Sequence, residues 1–347
     1  MEGTPVWNSE SSLVVESPSA SSSSNTAQEK GSLINVDPSS NSVEADQQHT
    51  NNEPLQYGGV DLPLPDFSSR LRDVLRFSPD HARMLEPHVP SPTTPYKAMT
   101  PKESIRVTLT YAQSLDGAIA LAPGMQTALS GPESKAMTHH LRSRHDAILI
   151  GVGTMLVDNP SLNCRIEGAG GYGGENLEHQ PIPVIIDPQC KWDFGWSKVF
   201  ELAQKGKGRP PIIVHSAPMP RYRKIPLQKA GGVSMHIPRR SFDDHRISWN
   251  DIFARLRLEH DIKSVMVEGG GSIIEELLAP ENFWMVDSVI VTIAPTWLGK
   301  GAVSAAPKDC VQGVHKVAVA KLKDVKWVPL GDDVVMCAKP DVKVPQK

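Results

Sequence analysis

Long apolar runs and blocks of one charge are both missing from this sequence of 347 residues. No stretch of about 18 apolar residues occurs, so no segment is expected to span a membrane. The formal net charge is −3 and no cluster of Lys or Arg stands out, which argues against nucleic acid or an anionic membrane as the main partner. The first residues form neither a basic nor an apolar signal segment, which predicts a cytoplasmic protein.

Cysteine is also scarce, and the motifs of several enzyme classes are absent. The sequence has four cysteines, widely separated and without a C-x-x-C pair: Cys164, Cys190, Cys310 and Cys337. A zinc cage or a redox dithiol needs clustered thiolates, so neither is predicted. No H-E-x-x-H, G-x-S-x-G or P-loop pattern occurs. Scattered histidines such as His139, His140 and His145 more often satisfy local hydrogen bonds than bind metal, and we expect no metal site.

The first hundred residues differ in composition from the rest of the chain. Residues 1–60 are rich in Ser, Asn, Gln, Glu and Thr, and such a segment is predicted to be disordered because it cannot bury enough apolar area. Within residues 61–100, apolar spacing predicts a short amphipathic helix over Asp66–Met84. Its apolar side would carry Leu71, Val74 and Leu75. Several prolines then predict an extended linker over residues 86–101.

Residues 101–340 have the pattern of a single α/β domain. Short apolar runs suit central strands that are covered on both faces. The predicted strands are Arg106–Tyr111, Ala147–Ile150, Val184–Ile186, Ile212–Val214, Ser264–Val267, Val289–Ala294 and Val334–Ala338. The predicted helices run from Pro132 to about Arg144, over Asp251–Ile262 and over Ser272–Leu278. This alternation predicts a mostly parallel central sheet with flanking helices, and the last two strands are expected to be antiparallel.

The strongest chemical signal is a strand that runs through three glycines directly into a helix, over Val265–Ile274. Gly269, Gly270 and Gly271 let backbone approach a ligand closely, and the start of a helix offers free N–H groups. The segment therefore predicts a diphosphate cradle. A plain tight turn is the alternative, although three consecutive glycines exceed what a turn needs. The pattern is not G-x-G-x-x-G, so a standard Rossmann domain is not predicted.

A second strand also ends in glycines, Gly151 and Gly153, before a short helix. Thr154 could cap that helix, and Asp158 follows one turn later. Alone, these two residues are equally well explained as caps. Because two glycine-ended strands each lead into a helix, a nucleotide groove becomes the better interpretation.

Charged residues accompany both glycine loops. Arg142 precedes the loop at Gly151 and Gly153, and Arg165 follows it. Arginine matches phosphate in geometry and charge. Each alone is more often a solvated surface residue. Glu268 ends the strand before the three glycines. It could accept hydrogen bonds from an amino-substituted ring, or it could cap the next helix, and the sequence favours neither reading.

Four segments together resemble one enzyme family: Val107–Gly117, Met137–Arg142, Gly153–Pro160 and Val265–Gly271. They are similar to the fungal and archaeal 2,5-diamino-6-ribosylamino-4(3H)-pyrimidinone 5′-phosphate reductases. These are related to the reductase half of the bacterial riboflavin deaminase-reductase. The resemblance covers roughly residues 100–340, with the motifs in family order, and residues 1–60 have no counterpart.

This resemblance implies a dihydrofolate-reductase-like fold, a homodimer, and NADPH as hydride donor in riboflavin biosynthesis. In the family's reaction the ribosyl group opens to an imine and hydride reaches C1′, which gives a ribitylamino product. The implied cofactor residues are Thr154, Asp158, Gly269, Gly270, Gly271, Ser272 and Ile273. The implied substrate residues are Arg142, Leu162, Arg165 and Glu268. Glu268 is the one candidate for a catalytic role, and phosphate would fall to the arginines.

The sequence also departs from the bacterial relatives. Thr110 and Ala118 stand where those relatives often carry a lysine and a basic residue, so a lysine proton donor cannot be carried over. No H-x-E with P-C-x-x-C occurs, which excludes zinc-dependent deamination. The glycine-rich loop Glu167–Gln180 is predicted to be an exposed insertion.

Two other functions remain as alternatives. Another NADPH reductase of the same fold, acting on a pterin for example, would need a ring-binding acid early in the chain and no paired arginines. A non-catalytic nucleotide-binding protein would keep the glycines and lose the substrate side. Both sides look intact in this sequence, which favours the phosphorylated pyrimidinone substrate.

Overall fold

A computed structural model of the chain describes residues 74–91, 105–239, 247–312 and 314–342. The predicted disorder of residues 1–60 lies outside these ranges. Within them, the structure contains no helix with both the length and the apolar character needed to cross a membrane.

One nine-stranded sheet organises the domain. Its strands are β1 (Arg106–Gln113), β3 (Ala147–Gly151), β4 (Ile182–Ile186), β5 (Ile212–His215), β6 (Val233–His236), β7 (Ser264–Gly269), β8 (Ser288–Ile293), β12 (Leu322–Leu330) and β13 (Asp333–Pro340). Across the sheet they lie in the order β12-β13-β8-β1-β7-β3-β4-β5-β6. Two small antiparallel pairs lie outside this sheet: β2 (Ala118–Ala120) with β9 (Val303–Ser304), and β10 (Cys310–Gln312) with β11 (His315–Val317).

Helices connect most of these strands. They are α1 (Pro79–Leu85), α2 (Pro132–Ser143), α3 (Val152–Asp158), α4 (Lys198–Gln204), α5 (Arg221–Lys229), α6 (Trp249–His260), α7 (Gly271–Leu278) and α8 (Pro280–Phe283), with 3-10 turns at Glu86–His88 and Phe194–Trp196. Helix α6 begins two residues before its predicted start because the Ser248 hydroxyl accepts a hydrogen bond from the Asp251 N–H (3.4 Å). It ends where Asp261 takes a left-handed φ of 50°.

The sheet is parallel from β8 through β6 and antiparallel only at β12 and β13. The predicted α/β class with a mostly parallel sheet is therefore confirmed. The expectation that the strands at Val289–Ala294 and Val334–Ala338 are antiparallel is confirmed, since β8 and β13 pair antiparallel. Strand β8 is parallel to its other neighbour β1, because the crossover through α7 and α8 returns the chain to the same end of the sheet before β8 begins.

Both faces of the sheet are covered, which explains the continuous apolar runs. In β3, Leu149 belongs to the cluster that includes α6 and α7, whereas Ile148 and Ile150 belong to the cluster with Met155 of α3. All three strand residues are at most 1% exposed. Burying each such side chain contributes roughly 2 kcal/mol, so alternate residues stabilise opposite layers.

The segment before the sheet differs from its prediction. Of the predicted helix Asp66–Met84, the part at residues 74–78 is wrong, because α1 begins only at Pro79. Leu75 instead forms a β-bridge with Ile166, with its N–H donating to the Arg165 carbonyl oxygen (2.9 Å). Val74 is exposed, and Leu71 lies outside the described residues. The linker prediction is also wrong over its first residues, since Glu86–His88 form a 3-10 turn and both His88 and Val89 are buried.

The glycine-rich loop Glu167–Gln180 is not simply an exposed insertion. Ala169, Tyr172 and Gln180 are buried. Gln180 Oε1 accepts the Cys164 N–H (2.8 Å), and its Nε2 donates to the carbonyl oxygens of Cys164 and Gly170 (2.7 Å each). The prediction failed because the Gln180 side chain fixes the loop to the domain, and amino-acid composition does not reveal such a contact.

Candidate functional site

The two glycine loops meet at the carboxyl edge of the sheet. Strands β3 and β7 are parallel neighbours, with Leu149 opposite Val267, so their ends reach the same edge. A Cβ atom added to Gly270 would lie 2.6 Å from the Thr154 Oγ1. One added to Gly151 would lie 3.1 Å from the Ile273 Cδ1. The sequence prediction that both loops border one groove therefore has a geometric basis.

The triple glycine requires a backbone that other residues rarely adopt. Gly269 and Gly270 have φ of 78° and 95°, which L side chains disfavour. Gly270 is the N-cap of α7, and its carbonyl oxygen accepts the N–H groups of Ile273 (3.0 Å) and Ile274 (3.1 Å). The N–H groups of the first turn, those of Gly271 and Ser272, have no acceptor in a preceding turn of the helix. They make a cradle that favours an anionic group.

The loop at Gly151 and Gly153 leads into helix α3, which carries the Thr154 hydroxyl and the Asp158 carboxyl group. Helix α3 already begins at Val152 with Gly151 as N-cap and no side-chain cap, so the capping role of Thr154 is wrong. Asp158 is the last residue of α3, and its Oδ1 is buried without a hydrogen-bond partner among the described residues. Burial raises the pKa of Asp158, against the charge of Lys198, which lowers it. An unsatisfied carboxyl oxygen fits a ligand that donates a hydrogen bond there.

On the other side of β7, Glu268 and Arg142 form a bidentate ion pair. Arg142 Nε donates to Glu268 Oε1 and its Nη2 donates to Oε2, both at 2.7 Å, and Nη1 donates to the Asn163 carbonyl oxygen (3.1 Å). The two side chains are 10% and 18% exposed. Burial is the largest single effect on the pKa of Arg142 and lowers it, but the charge of Glu268 and its hydrogen bonds to the guanidinium act together against burial, and the pKa is raised. Glu268 does not cap α7, so that alternative is wrong.

Arg165 contacts helix α2 through His139. The Arg165 N–H donates to His139 Nδ1 (3.1 Å), and its Nη2 lies 3.0 Å from His139 Nε2. A neutral imidazole has one bare nitrogen, so only one of these contacts is a full hydrogen bond. Leu162 is buried and has a φ of 50°, an uncommon conformation for a bulky residue, typical of constrained turns at functional sites.

Sequence reasoning missed Asn163 as part of this site. Asn163 is buried, and its Nδ2 donates to the Tyr172 hydroxyl (2.9 Å) and to the Lys207 carbonyl oxygen (3.1 Å). Its own carbonyl oxygen holds Arg142. No local pattern could have revealed it, because its partners are distant in the chain. Among the residues that the structure describes, no group of three or more His, Cys, Asp or Glu side chains could hold a metal ion.

Fold and site together define an α/β domain whose two glycine loops meet at the carboxyl edge of its sheet, the edge at which open α/β sheets usually bind ligands. A family model described as the RibD C-terminal domain matches residues 106–336. The chain belongs to this family.

Curated relatives carry more specific names. The chain is 43% identical over 234 residues to a 2,5-diamino-6-ribosylamino-4(3H)-pyrimidinone 5′-phosphate reductase of Candida glabrata, covering 67% of this chain and 88% of that protein. It is 40% identical over 233 residues to the protein of that name from Saccharomyces cerevisiae, covering 67% and 86%.

Solved structures agree with the fold. The Saccharomyces cerevisiae riboflavin biosynthesis reductase Rib7 superposes with a TM-score of 0.58 and 33% identity, covering 75% of this chain and 99% of Rib7. Acinetobacter baumannii RibD, with a TM-score of 0.56 and 22% identity over 70% of this chain and 59% of RibD, supports the fold alone. The reductase fold expected from the resemblance is confirmed.

Proposed function

We propose that this protein reduces 2,5-diamino-6-ribosylamino-4(3H)-pyrimidinone 5′-phosphate to its ribitylamino product in riboflavin biosynthesis, with NADPH as hydride donor. One observation carries the proposal beyond the family name. Glu268, held by Arg142, is directly followed by the glycine cradle. Glu268 and Gly270 are two residues apart, so their Cα atoms lie within about 7 Å, and a ring that contacts Glu268 would lie near a dinucleotide whose diphosphate rests on Gly270.

The glycine loops fit the cofactor. Within Gly269–Ile273, the backbone N–H groups of Gly271 and Ser272 offer an uncharged cradle, which suits a diphosphate. Thr154 lies beside the cradle, because its Oγ1 is 2.6 Å from the position that a Cβ atom at Gly270 would take. The unsatisfied Oδ1 of Asp158 suits a ligand hydroxyl or amide. NADPH, when bound, supplies the hydride.

The charged side fits the phosphorylated substrate. Arg142 keeps two of its five N–H groups beyond those given to Glu268 and Asn163. Its positive charge is largely balanced by Glu268, so Arg165 is the stronger candidate for the phosphate. The carboxyl oxygens of Glu268 would accept hydrogen bonds from the amino groups of the pyrimidinone, and Leu162 would shape a turn of the substrate side.

The contribution of these residues is mainly positional. Arg142 fixes the Glu268 carboxylate in one orientation, which in turn orients the substrate ring. Holding the C1′ carbon at reacting distance removes much of the entropic barrier to transfer. Thr110 is a buried threonine, so no lysine supplies a proton from that position, and we assign the proton to water or to the substrate itself.

A homodimer and a cytoplasmic location complete the proposal. Both rest on the sequence and on the family resemblance. Light scattering of the purified full-length chain tests the dimer, and fluorescence microscopy of a tagged chain tests the location.

An assay with the purified full-length chain tests the proposed reaction. Substrate and NADPH should yield a product two hydrogens heavier than the substrate, with one NADPH consumed per product, and NADH should be the poorer donor. Dihydropterin serves as the parallel substrate. NADPH oxidation with the pterin alone would favour the other reductase, and NADPH binding without any turnover would favour the non-catalytic alternative.

A further inference from the structure

The Leu115-Asp116-Gly117 turn, one of the segments that carry the family resemblance, has no role in the site described so far. Asp116 follows β1 and is exposed. Its carboxylate nevertheless accepts hydrogen bonds from the backbone N–H groups of Leu298 (3.1 Å) and Gly299 (2.7 Å), and from the Ser114 hydroxyl. The turn after β1 is thereby joined to the loop after β8, more than 180 residues later in the chain.

Backbone hydrogen bonds extend this junction on both sides. The Leu115 N–H donates to the Thr296 carbonyl oxygen (2.8 Å), and the Ala305 N–H donates to that of Gly117 (3.2 Å). Between them lies the two-stranded ribbon of β2 and β9, in which Ala118 pairs with Ser304. Asp116 therefore stands at the base of a ribbon whose strands come from two distant parts of the sequence.

The ribbon contacts the diphosphate cradle. A Cβ atom at Gly271 would lie 3.5 Å from Ile119 Cδ1 of β2 and 3.7 Å from Val303 Cγ1 of β9. Gly271 is the first residue of α7. The side chains of the ribbon thus form a wall directly beside the helix start at which the cofactor is placed.

We propose that Asp116 is a positioning residue for dinucleotide binding, which holds the β2–β9 ribbon and the loop of residues 294–302 against the glycine cradle. The inference rests on the proposed function, because it presumes that the ligand at Gly270 is NADPH. Asp116 acts through the ribbon and does not itself touch the reacting atoms.

The chemistry of the junction requires a carboxylate. The Ser114 hydroxyl, followed by the Leu298 and Gly299 amides, lowers the pKa of Asp116 to about 2, so the group is ionised throughout the pH range of an assay. A carboxylate can accept from both backbone amides at once. An asparagine would accept through one oxygen and turn its NH2 group toward the other N–H, which leaves a donor facing a donor.

Asp116→Asn tests this inference, with Asp332→Asn as the matched control. Asp332 is an exposed carboxylate in the turn between β12 and β13. We expect Asp116→Asn to raise the KM and Kd for NADPH about tenfold, as the loss of a charge-assisted hydrogen bond implies, and to leave the substrate KM nearly unchanged. Asp116→Glu should recover part of the affinity, since it restores the charge on a longer stem.

The loop carries its own spectroscopic reporter. Trp297 is 73% exposed and precedes Leu298 directly. Energy transfer from tryptophan to bound NADPH should fall in Asp116→Asn under saturating NADPH, and a Trp297→Phe background identifies the share that comes from this loop. Thermal unfolding shows whether the variant is folded, and Ser114→Ala, which removes one support of the carboxylate, should have a smaller effect in the same direction.

The outcomes separate this inference from the proposed function. If the unaltered chain neither binds NADPH nor reduces the substrate, the proposed function fails. If it does both and a folded Asp116→Asn keeps its NADPH affinity and energy transfer, Asp116 is not a positioning residue. Equal losses for NADPH and substrate, together with a lowered melting temperature, would also overturn the inference, because they indicate general destabilisation.

Discussion

The two sides of the candidate site are built in opposite ways. The glycine side, Gly269–Ser272, presents backbone N–H groups and no charged side chain. The charged side presents Arg142, Glu268 and Arg165, of which the first two are joined as a buried ion pair. In the proposed function, the glycine side would recognise shape by omitting side chains, whereas the charged side would recognise charge by fixing side chains through partners. Ligand binding at the glycine side should therefore be lost when a side chain is introduced, and ligand binding at the charged side should be lost when one member of a pair is removed.

Gly270→Val should have the largest effect, and it should impair ligand binding at the glycine side alone. The new side chain would begin 2.6 Å from Thr154 Oγ1 at a φ of 95°, so the loop must shift out of its cradle geometry. We expect NADPH affinity to fall by at least about a hundredfold, while α7 persists because Ile273, Ile274, Leu277 and Leu278 stay buried.

A fluorescence titration with NADPH and circular dichroism measure the two effects of that change. Gly195→Val is the control, since Gly195 has no positive φ and its added Cβ meets nothing closer than 3.6 Å. Near-normal NADPH affinity in a folded Gly270→Val protein would show that the glycine run is only a structural turn.

Arg142→Ala should break the charged side through its partner. Glu268 would remain largely buried without its cation, which costs about 3 kcal/mol of unfolding free energy, and substrate binding should weaken more than NADPH binding. Denaturant unfolding and separate ligand titrations measure these changes. The double variant Arg142→Met with Glu268→Leu should regain most of the stability and none of the activity. A double variant as unstable as the single one would contradict this account of the pair.

Arg165→Ala should have a smaller effect and tests which arginine binds phosphate. Arg165 is half-buried beside His139, so its loss should raise the substrate KM by about thirtyfold, or roughly 2 kcal/mol, without affecting the Kd for NADPH. Arg221→Ala, at an exposed arginine of α5, is the matched control. Equal weakening of both ligands in Arg165→Ala would remove Arg165 from the substrate side.

The pH dependence of stability should be carried by two histidines, His140 in α2 and His145 just after that helix. Burial lowers the pKa of His145 to about 4, with Arg106 and Arg144 adding to the effect and the Leu141 carbonyl opposing it. Burial likewise lowers the pKa of His140 to about 4. In both groups the unfolded chain binds protons more readily, so stability is complete above about pH 6.5 and falls as the pH approaches 4.

Melting temperatures of the full chain across this range check the expectation. His145→Gln keeps a donor for the Leu141 carbonyl and should flatten the acid loss, whereas His179→Gln, at an exposed position, should not. An unchanged acid profile in His145→Gln would assign the loss to other groups.

Removal of the N-terminal segment should have the smallest effect on either side. Every residue of the candidate site lies beyond residue 105, and the sequence before Asn51 carries no motif. A chain that starts near Asn51 should keep its activity and its NADPH affinity. A truncated chain that folds and is inactive would assign a direct role to the removed residues.

Local signals explain what the sequence predicted. The buried strands β3, β4, β5 and β7 appeared as continuous apolar runs, because both faces of each are covered. The glycine loops were visible because their requirement is local. By contrast, β6 and β12 lie at the edges of the sheet, where mixed exposure removes any regular pattern, and both were missed. Helices α4 and α5 were also missed.

Long-range pairing explains most of what was not predicted. Arg142 and Glu268 were each identified, but their mutual ion pair joins positions 126 residues apart and has no local signature. The misplaced cap at Thr154 has the opposite origin: the backbone at Gly151 starts α3 early, and no side chain is needed there. The roles assigned to the individual site residues stay predictions until ligands are tested.

The side chain of Gln180 has a consequence for how this protein would be cut. A protease binds the segment that it cleaves in an extended conformation within its active-site cleft. The glycine-rich loop Glu167–Gln180 cannot yield such a stretch unless the three hydrogen bonds of Gln180 open and Tyr172 leaves the interior. Glycine content, which ordinarily marks a vulnerable loop, therefore does not mark one here, because susceptibility to cleavage depends on how a loop is tied down.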